Sequence, residues 1–122
     1  MIAALSSIDV HHEKAIAAIV ARRETRQPIR ISTVSIAELH SIRGAGRNAQ
    51  LSSVMRFVDS LGVDGVVGLD RQTAETAGKA RSRRPSLRLA DSMIKATADH
   101  IGAELLTVDR QLAKLDGVTL IG

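Results

Sequence analysis

Between Leu89 and Asp109 the chain commits itself to one local arrangement. Leu89-Ala90-Asp91-Ser92-Met93-Ile94-Lys95-Ala96-Thr97-Ala98 reads as a helix, with Leu89, Met93, Ile94, Thr97 and Ile101 on one side at the 3.6-residue period. Gly102 stands where a helix end favours a left-handed residue. Glu104 to Val108 is too short and too apolar for an amphipathic helix, so it predicts a buried strand that stops at Asp109. Helices of an open parallel α/β sheet start at the edge where the strands end. Asp91, in the first turn of the helix, and Asp109, just past the strand, are therefore expected at the same rim, the rim where such sheets bind ligands.

The length of 122 residues fits one domain, and about two-thirds of the extended-chain surface can be buried at this size, enough for a core without staples. Cysteine is absent, which excludes disulfides, thiolate metal sites and a cysteine nucleophile and is compatible with a cytoplasmic location. The opening Met1-Ile2-Ala3-Ala4-Leu5 is apolar but brief and has no leading Lys or Arg. Neither a signal peptide nor a membrane span is expected. A net charge of +4 and a pI near 10.3 favour an acidic partner such as nucleic acid. With no Trp or Tyr and only Phe57, there is no row of such rings for bases to stack on, so such binding would be electrostatic and salt-sensitive.

Taken in order, Met1 to Leu5 reads as an apolar helical turn with no strand before it, and Asp9 as the N-cap of a helix to about Gln27, ended by Pro28. His11 and His12 are adjacent and fall on different faces, which argues against a shared metal. Ile29 to Val34 is β-branched and alternating, a strand, and Ser35-Ile36-Ala37-Glu38 opens a helix to about Arg43. Gly44-Ala45-Gly46 breaks that helix. A second runs from Asn48 to Leu61 and ends at Gly62, so that the two form an antiparallel arm. Val66 to Leu69 is a short strand ending at Asp70, and Thr73 to Ser82 an alanine-rich helix in which Gly78 permits close packing. Arg81, Arg83 and Arg84 make a basic loop before Pro85, readable as a solvated charge run or as a phosphate contact beside the acid rim. Arg110 to Leu115 forms a short helix and Val118 to Ile121 a last strand.

Three acids stand out, and each has an ordinary structural explanation. Glu38 lies at capping-box spacing from Ser35, Asp91 complements a helix dipole, and Asp109 caps the helix that follows. The order strand, helix, strand nevertheless places all three at one edge. Carboxylates ~5 Å apart there repel by ~3 kcal/mol per pair at an effective dielectric near 20, and a divalent cation relieves that repulsion.

Ile31-Ser32-Thr33-Val34-Ser35-Ile36-Ala37-Glu38-Leu39, Arg88 to Ala98 and Leu105-Leu106-Thr107-Val108-Asp109 together resemble a PIN-domain protein of the VapC toxin type, over nearly the whole chain. The resemblance implies a single α/β domain over residues 1–122, a PIN-like doubly wound parallel sheet with helices on both faces. It makes Glu38, Asp91 and Asp109 the family's second, third and fourth acids. By the same resemblance these hold Mg²⁺ or Mn²⁺ in a ribonuclease that acts by in-line hydrolysis of RNA phosphodiesters. Arg83 and Arg84 are the candidate RNA contacts. A cognate antitoxin and a second copy of the chain, as a homodimer, are the implied protein partners, with no membrane involved.

One departure qualifies the match. Members of the family begin with a strand ending in the first catalytic Asp, followed by a helix that Met1 to Leu5 resembles. The chain is therefore expected to lack the central first strand and its Asp, and to be N-terminally truncated relative to the family. Asp9, in the loop after that helix, is no substitute. The strands near Ile31 and Leu106 would then flank a gap of two strand spacings, ~9.6 Å, at a cost in unpaired backbone unless the sheet closes up. Two functions of different classes follow: a metal-dependent endoribonuclease, whose true start is expected upstream or which works weakly with three acids, or a non-enzymatic remnant that binds an antitoxin or dimerises through its helical arm. A phosphoryl-accepting receiver domain shares the layout but needs two acids after its first strand, and Asp70 has no such companions.

Overall fold

Leu105 and Leu106 are neighbours in sequence and both fully buried, which requires a strand covered on both faces. A computed structural model describes residues 2–5, 21, 28–41, 47–107 and 109–121. Its strands are β1 (Ile2–Leu5), β2 (Ile29–Ser32), β3 (Val66–Val67), β4 (Ala103–Thr107) and β5 (Val118–Leu120), all parallel in the order β3-β2-β1-β4-β5. The helices are α1 (Thr33–Ser41), α2 (Arg47–Ser60), α3 (Arg71–Arg83) and α4 (Leu89–His100). Leu106 joins Ile29, Ile31, Leu39, Val54 and Val58 in one core cluster, while Leu105 joins Ile94, Ala98 and Leu112 in another. Successive strand residues point to opposite faces, so the two clusters lie on opposite sides of the sheet. This is the expected doubly wound layout.

The expected vacancy is filled. The strands at Ile31 and Leu106 do flank the centre, but β1 lies between them, with Leu5 opposite Ile31 on one side and Leu106 on the other. Met1 to Leu5 was expected as a helical turn. As a strand, Ile2–Leu5 supplies ladder partners to two neighbours that would otherwise carry unpaired backbone through the middle of the sheet, a demand stronger than the local pattern of a short apolar run.

Several boundaries move for identifiable reasons. The helix expected from Ser35 starts at Thr33, because the Ser32 hydroxyl accepts the Val34 N–H and caps it there. Ser35 is then buried inside the helix rather than at its cap, so the capping-box explanation for Glu38 falls away. Gly78 is exposed and open space surrounds the position of a Cβ, so it is not a packing point. Close approach of α3 to α4 occurs at Ala77, whose carbonyl accepts the Ser92 hydroxyl at 2.7 Å. Leu89, expected inward, is 52% exposed. The buried arc of α4 includes Asp91, Ser92, Ile94, Ala96, Thr97 and Ala98, because that helix has α3 on one side and the sheet on the other.

The last expected helix is reduced to a 3₁₀ turn at Leu112–Lys114. Gly62 and Gly102 end their helices with φ of 79° and 67°, as the sequence predicts. The expected helix from Asp9 to Gln27, with His11 and His12, lies outside the described residues apart from Ala21, and so does the Gly44-Ala45-Gly46 break. Among the described residues no helix is long and apolar enough to cross a membrane.

Candidate active site

The strand order reverses between β1 and β4, and at such a switch point the loops leaving the carboxyl ends of neighbouring strands part to leave a crevice. Glu38 reaches this edge from α1, which leaves β2. Asp91 reaches it from the first turn of α4, and Asp109 from the loop after β4. A fourth residue brings them together. Arg88, the N-cap of α4, donates from Nε to Asp91 Oδ2 at 3.0 Å and from Nη2 to Asp91 Oδ1 at 3.2 Å, a two-pronged pair. The same Nη2 donates to Glu38 Oε2 at 3.2 Å, across a sequence separation of 50 residues.

The guanidinium is held above its already high pKa by the Asp91 hydrogen bond first, by the Asp91 charge next, and further by the charges of Glu38 and Asp109. Two of the three predicted acids, Asp91 and Glu38, therefore bond one cation. Asp91 is the most enclosed of them, its side chain 5% exposed against 24% for Glu38, while Arg88 itself is 62% exposed. Burial of Asp91 without a partner would be costly, and Arg88 is the partner.

Asp109 is fixed by its own turn: its N–H donates to the buried Thr107 hydroxyl at 3.0 Å, and its Oδ1 accepts the Gln111 N–H at 2.8 Å. It closes this turn rather than capping the helix expected after it, because the 3₁₀ turn that stands there has Gln111 at its N-cap with no side-chain bond, and it lines the same hollow as Asp91 and Arg88, a cavity of about 440 Å³. A larger groove of about 570 Å³ adjoins it, sharing Arg84, Leu87 and Leu115 as walls and adding Arg83, Lys95 and His100. Arg83 and Arg84, at the end of α3, are exposed.

Glu38 and Asp91 meet through an arginine, and Asp109 lines the hollow beside them; the three do not stand together as ion ligands. Among the described residues no group of three or more His, Asp or Glu side chains is placed to hold a metal ion. The position where Glu38 and Asp91 meet is taken by Arg88 Nη2. The donor set is all oxygen, which suits Mg²⁺ or Mn²⁺, and the exposed guanidinium can move into water. Sequence reasoning passed over Arg88. Its spacing of three residues before a helix-start Asp was the available signal, and the link to Glu38 had none.

The PIN domain model matches residues 1–118. The chain belongs to the PIN-domain family. No curated protein matches it in sequence. Solved structures with the same fold include VapBC2 from Rickettsia felis bound to a DNA fragment from its promoter, 17% identical, with a TM-score of 0.72 over 98% of this chain and 97% of that one. DNA-bound VapBC from Salmonella typhimurium is 19% identical, with a TM-score of 0.70 over 98% and 96%. VapBC-5 of Mycobacterium tuberculosis, a member of the VapBC family of toxin-antitoxin systems, is 19% identical, with a TM-score of 0.66 over 98% and 97%. The PIN-family match and this shared fold agree with the family read from Glu38, Asp91 and Asp109.

Proposed function

We propose that this PIN domain is a metal-dependent endoribonuclease of the toxin-antitoxin type, with Glu38, Asp91 and Asp109 as ligands of Mg²⁺ or Mn²⁺. The observation that carries the reading is the meeting of Glu38 and Asp91 on Arg88 at the switch point of the sheet, with Asp109 lining the same hollow. A divalent ion there supplies Lewis acidity for in-line hydrolysis of a phosphodiester. Asp91, buried and fixed on a rigid helix, anchors it; Glu38 and Asp109 complete the oxygen set from the two flanking elements. Arg83 and Arg84 receive the RNA backbone along the groove beside the acids, in contacts that are electrostatic and therefore salt-sensitive.

The likeness to VapBC toxin-antitoxin structures supports a cognate antitoxin as partner, and the family resemblance adds a homodimer in the cytoplasm as the working form. Ser6 and Ser7 follow β1 in the sequence where the family resemblance places a first acid, and cleavage is expected to be slow. That same feature favours a second reading, a PIN module that binds its antitoxin without cutting RNA. Cleavage of a mixed RNA substrate with and without Mn²⁺ separates the two. Slow, metal-dependent cleavage lost in Asp91→Asn supports the nuclease. Cleavage that survives Asp91→Asn places the chemistry elsewhere, and none at all with the fold intact leaves the binding module.

A further inference from the structure

Arg88 stands where a cation would. Its Nη2 touches one oxygen of Asp91 and one of Glu38, each at 3.2 Å, so it marks the point at which the two carboxylates meet. An ion held by both would lie ~2.1 Å from those oxygens, within the space the guanidinium fills, and two like charges cannot share it. We propose that Arg88 is a built-in counter-cation: it holds the acids together in the metal-free chain and must leave for a divalent ion to enter, so that ion binding and arginine release are one event. This rests on the reading above that these acids hold a divalent ion.

Three features suit such an exchange. Asp91, with a side chain 5% exposed, needs a positive partner in either state, so the two cations are alternatives rather than additions. Arg88 is 62% exposed and sits at the helix N-cap with no side-chain cap bond of its own, so its guanidinium can swing into water without disturbing the α4 backbone. A divalent ion also brings one more positive charge than the guanidinium to Asp91, the most enclosed of the carboxylates. The other nearby cation on this helix, Lys95, is committed to Asp99 at 2.5 Å and does not compete.

Mn²⁺ binding by titration calorimetry to the full chain and to Arg88→Gln, Arg88→Lys and Asp91→Asn tests this. Arg88→Gln should bind Mn²⁺ about tenfold more tightly than the unaltered chain, with a lower Tm in the absence of metal and a larger rise on adding it, because a competitor has been removed. Arg88→Lys, which keeps the charge but loses the fork, should fall between, and Asp91→Asn should not bind. In the unaltered chain, Mg²⁺ should abolish the protection of the Arg88 Nε–H resonance from solvent exchange; this readout needs no variant to fold. Equal or weaker binding by folded Arg88→Gln, or an Nε–H that stays protected at saturating Mg²⁺, overturns the exchange while leaving the metal site standing. Absence of Mn²⁺ binding in both the unaltered chain and Arg88→Gln overturns the metal reading itself and the exchange with it.

Discussion

Asp70 and Asp91 look alike in the sequence: each stands at the start of a helix that begins at the carboxyl edge of the sheet. Asp70 is the N-cap of α3, exposed, its Oδ1 accepting the Thr73 N–H at 2.7 Å, with His100 at 3.7 Å on the other oxygen. Asp91 lies three residues past its N-cap, is buried, and has as its side-chain partner an arginine that it shares with Glu38. The first carboxylate is satisfied by backbone that cannot leave without unwinding the helix. The second is satisfied by a flexible, exposed side chain that can. A fixed partner makes a structural acid, whereas an exchangeable one leaves the acid available to a ligand.

The sharpest way to break that contrast is to neutralise each acid in turn. Asp91→Asn should lower metal-dependent RNA cleavage on the order of 100-fold or more, because the ion loses its most rigid anchor, and Asp70→Asn should leave cleavage unchanged. Initial rates with Mn²⁺ decide it, and equal losses would erase the distinction. At the other end of α3, Arg83→Ala with Arg84→Ala should weaken RNA binding, and the slope of log affinity against log salt should fall by about one for each phosphate that is no longer neutralised. An unchanged salt slope would return both arginines to a solvated charge run.

Smaller effects sharpen the structural side. Ser92→Ala removes the bond to the Ala77 carbonyl at the buried seam of α3 and α4 and should cost about 1 kcal/mol in denaturant unfolding. The smallest concerns pH. The Thr73 backbone N–H, followed by the Thr73 side chain, holds the Asp70 carboxyl below its ordinary value of 3.8. Asp70 therefore stabilises the fold above that value, and its contribution fades as pH falls through the lower, folded-state pKa. Unfolding curves of the unaltered chain and Asp70→Asn should differ slightly near neutral pH and converge in strong acid. A difference that grows on acidification would reverse the sign and remove the cap from the account.

Local chemistry determined a good deal of this protein without help from the fold. The helix at Asp91, the left-handed Gly102, the buried strand at Leu105 and Leu106, and the placement of Glu38, Asp91 and Asp109 at one edge all follow from periodicity and neighbouring residues. Tertiary structure decided three things. Ile2–Leu5 is a strand because two other strands needed a partner between them, a demand that no property of those four residues expresses. Ser32 rather than Ser35 caps α1, so the capping-box explanation for Glu38 falls away, because the ladder with β3 ends β2 at Ser32. Arg88 meets Glu38 because α1 and α4, with core residues Leu39 and Ile94 on opposite faces of the sheet, both start at its carboxyl edge, which closes a separation of 50 residues to 3.2 Å. Hydrogen bonds between near neighbours are written into short stretches of sequence, whereas the meeting of distant charges exists only once the chain has packed.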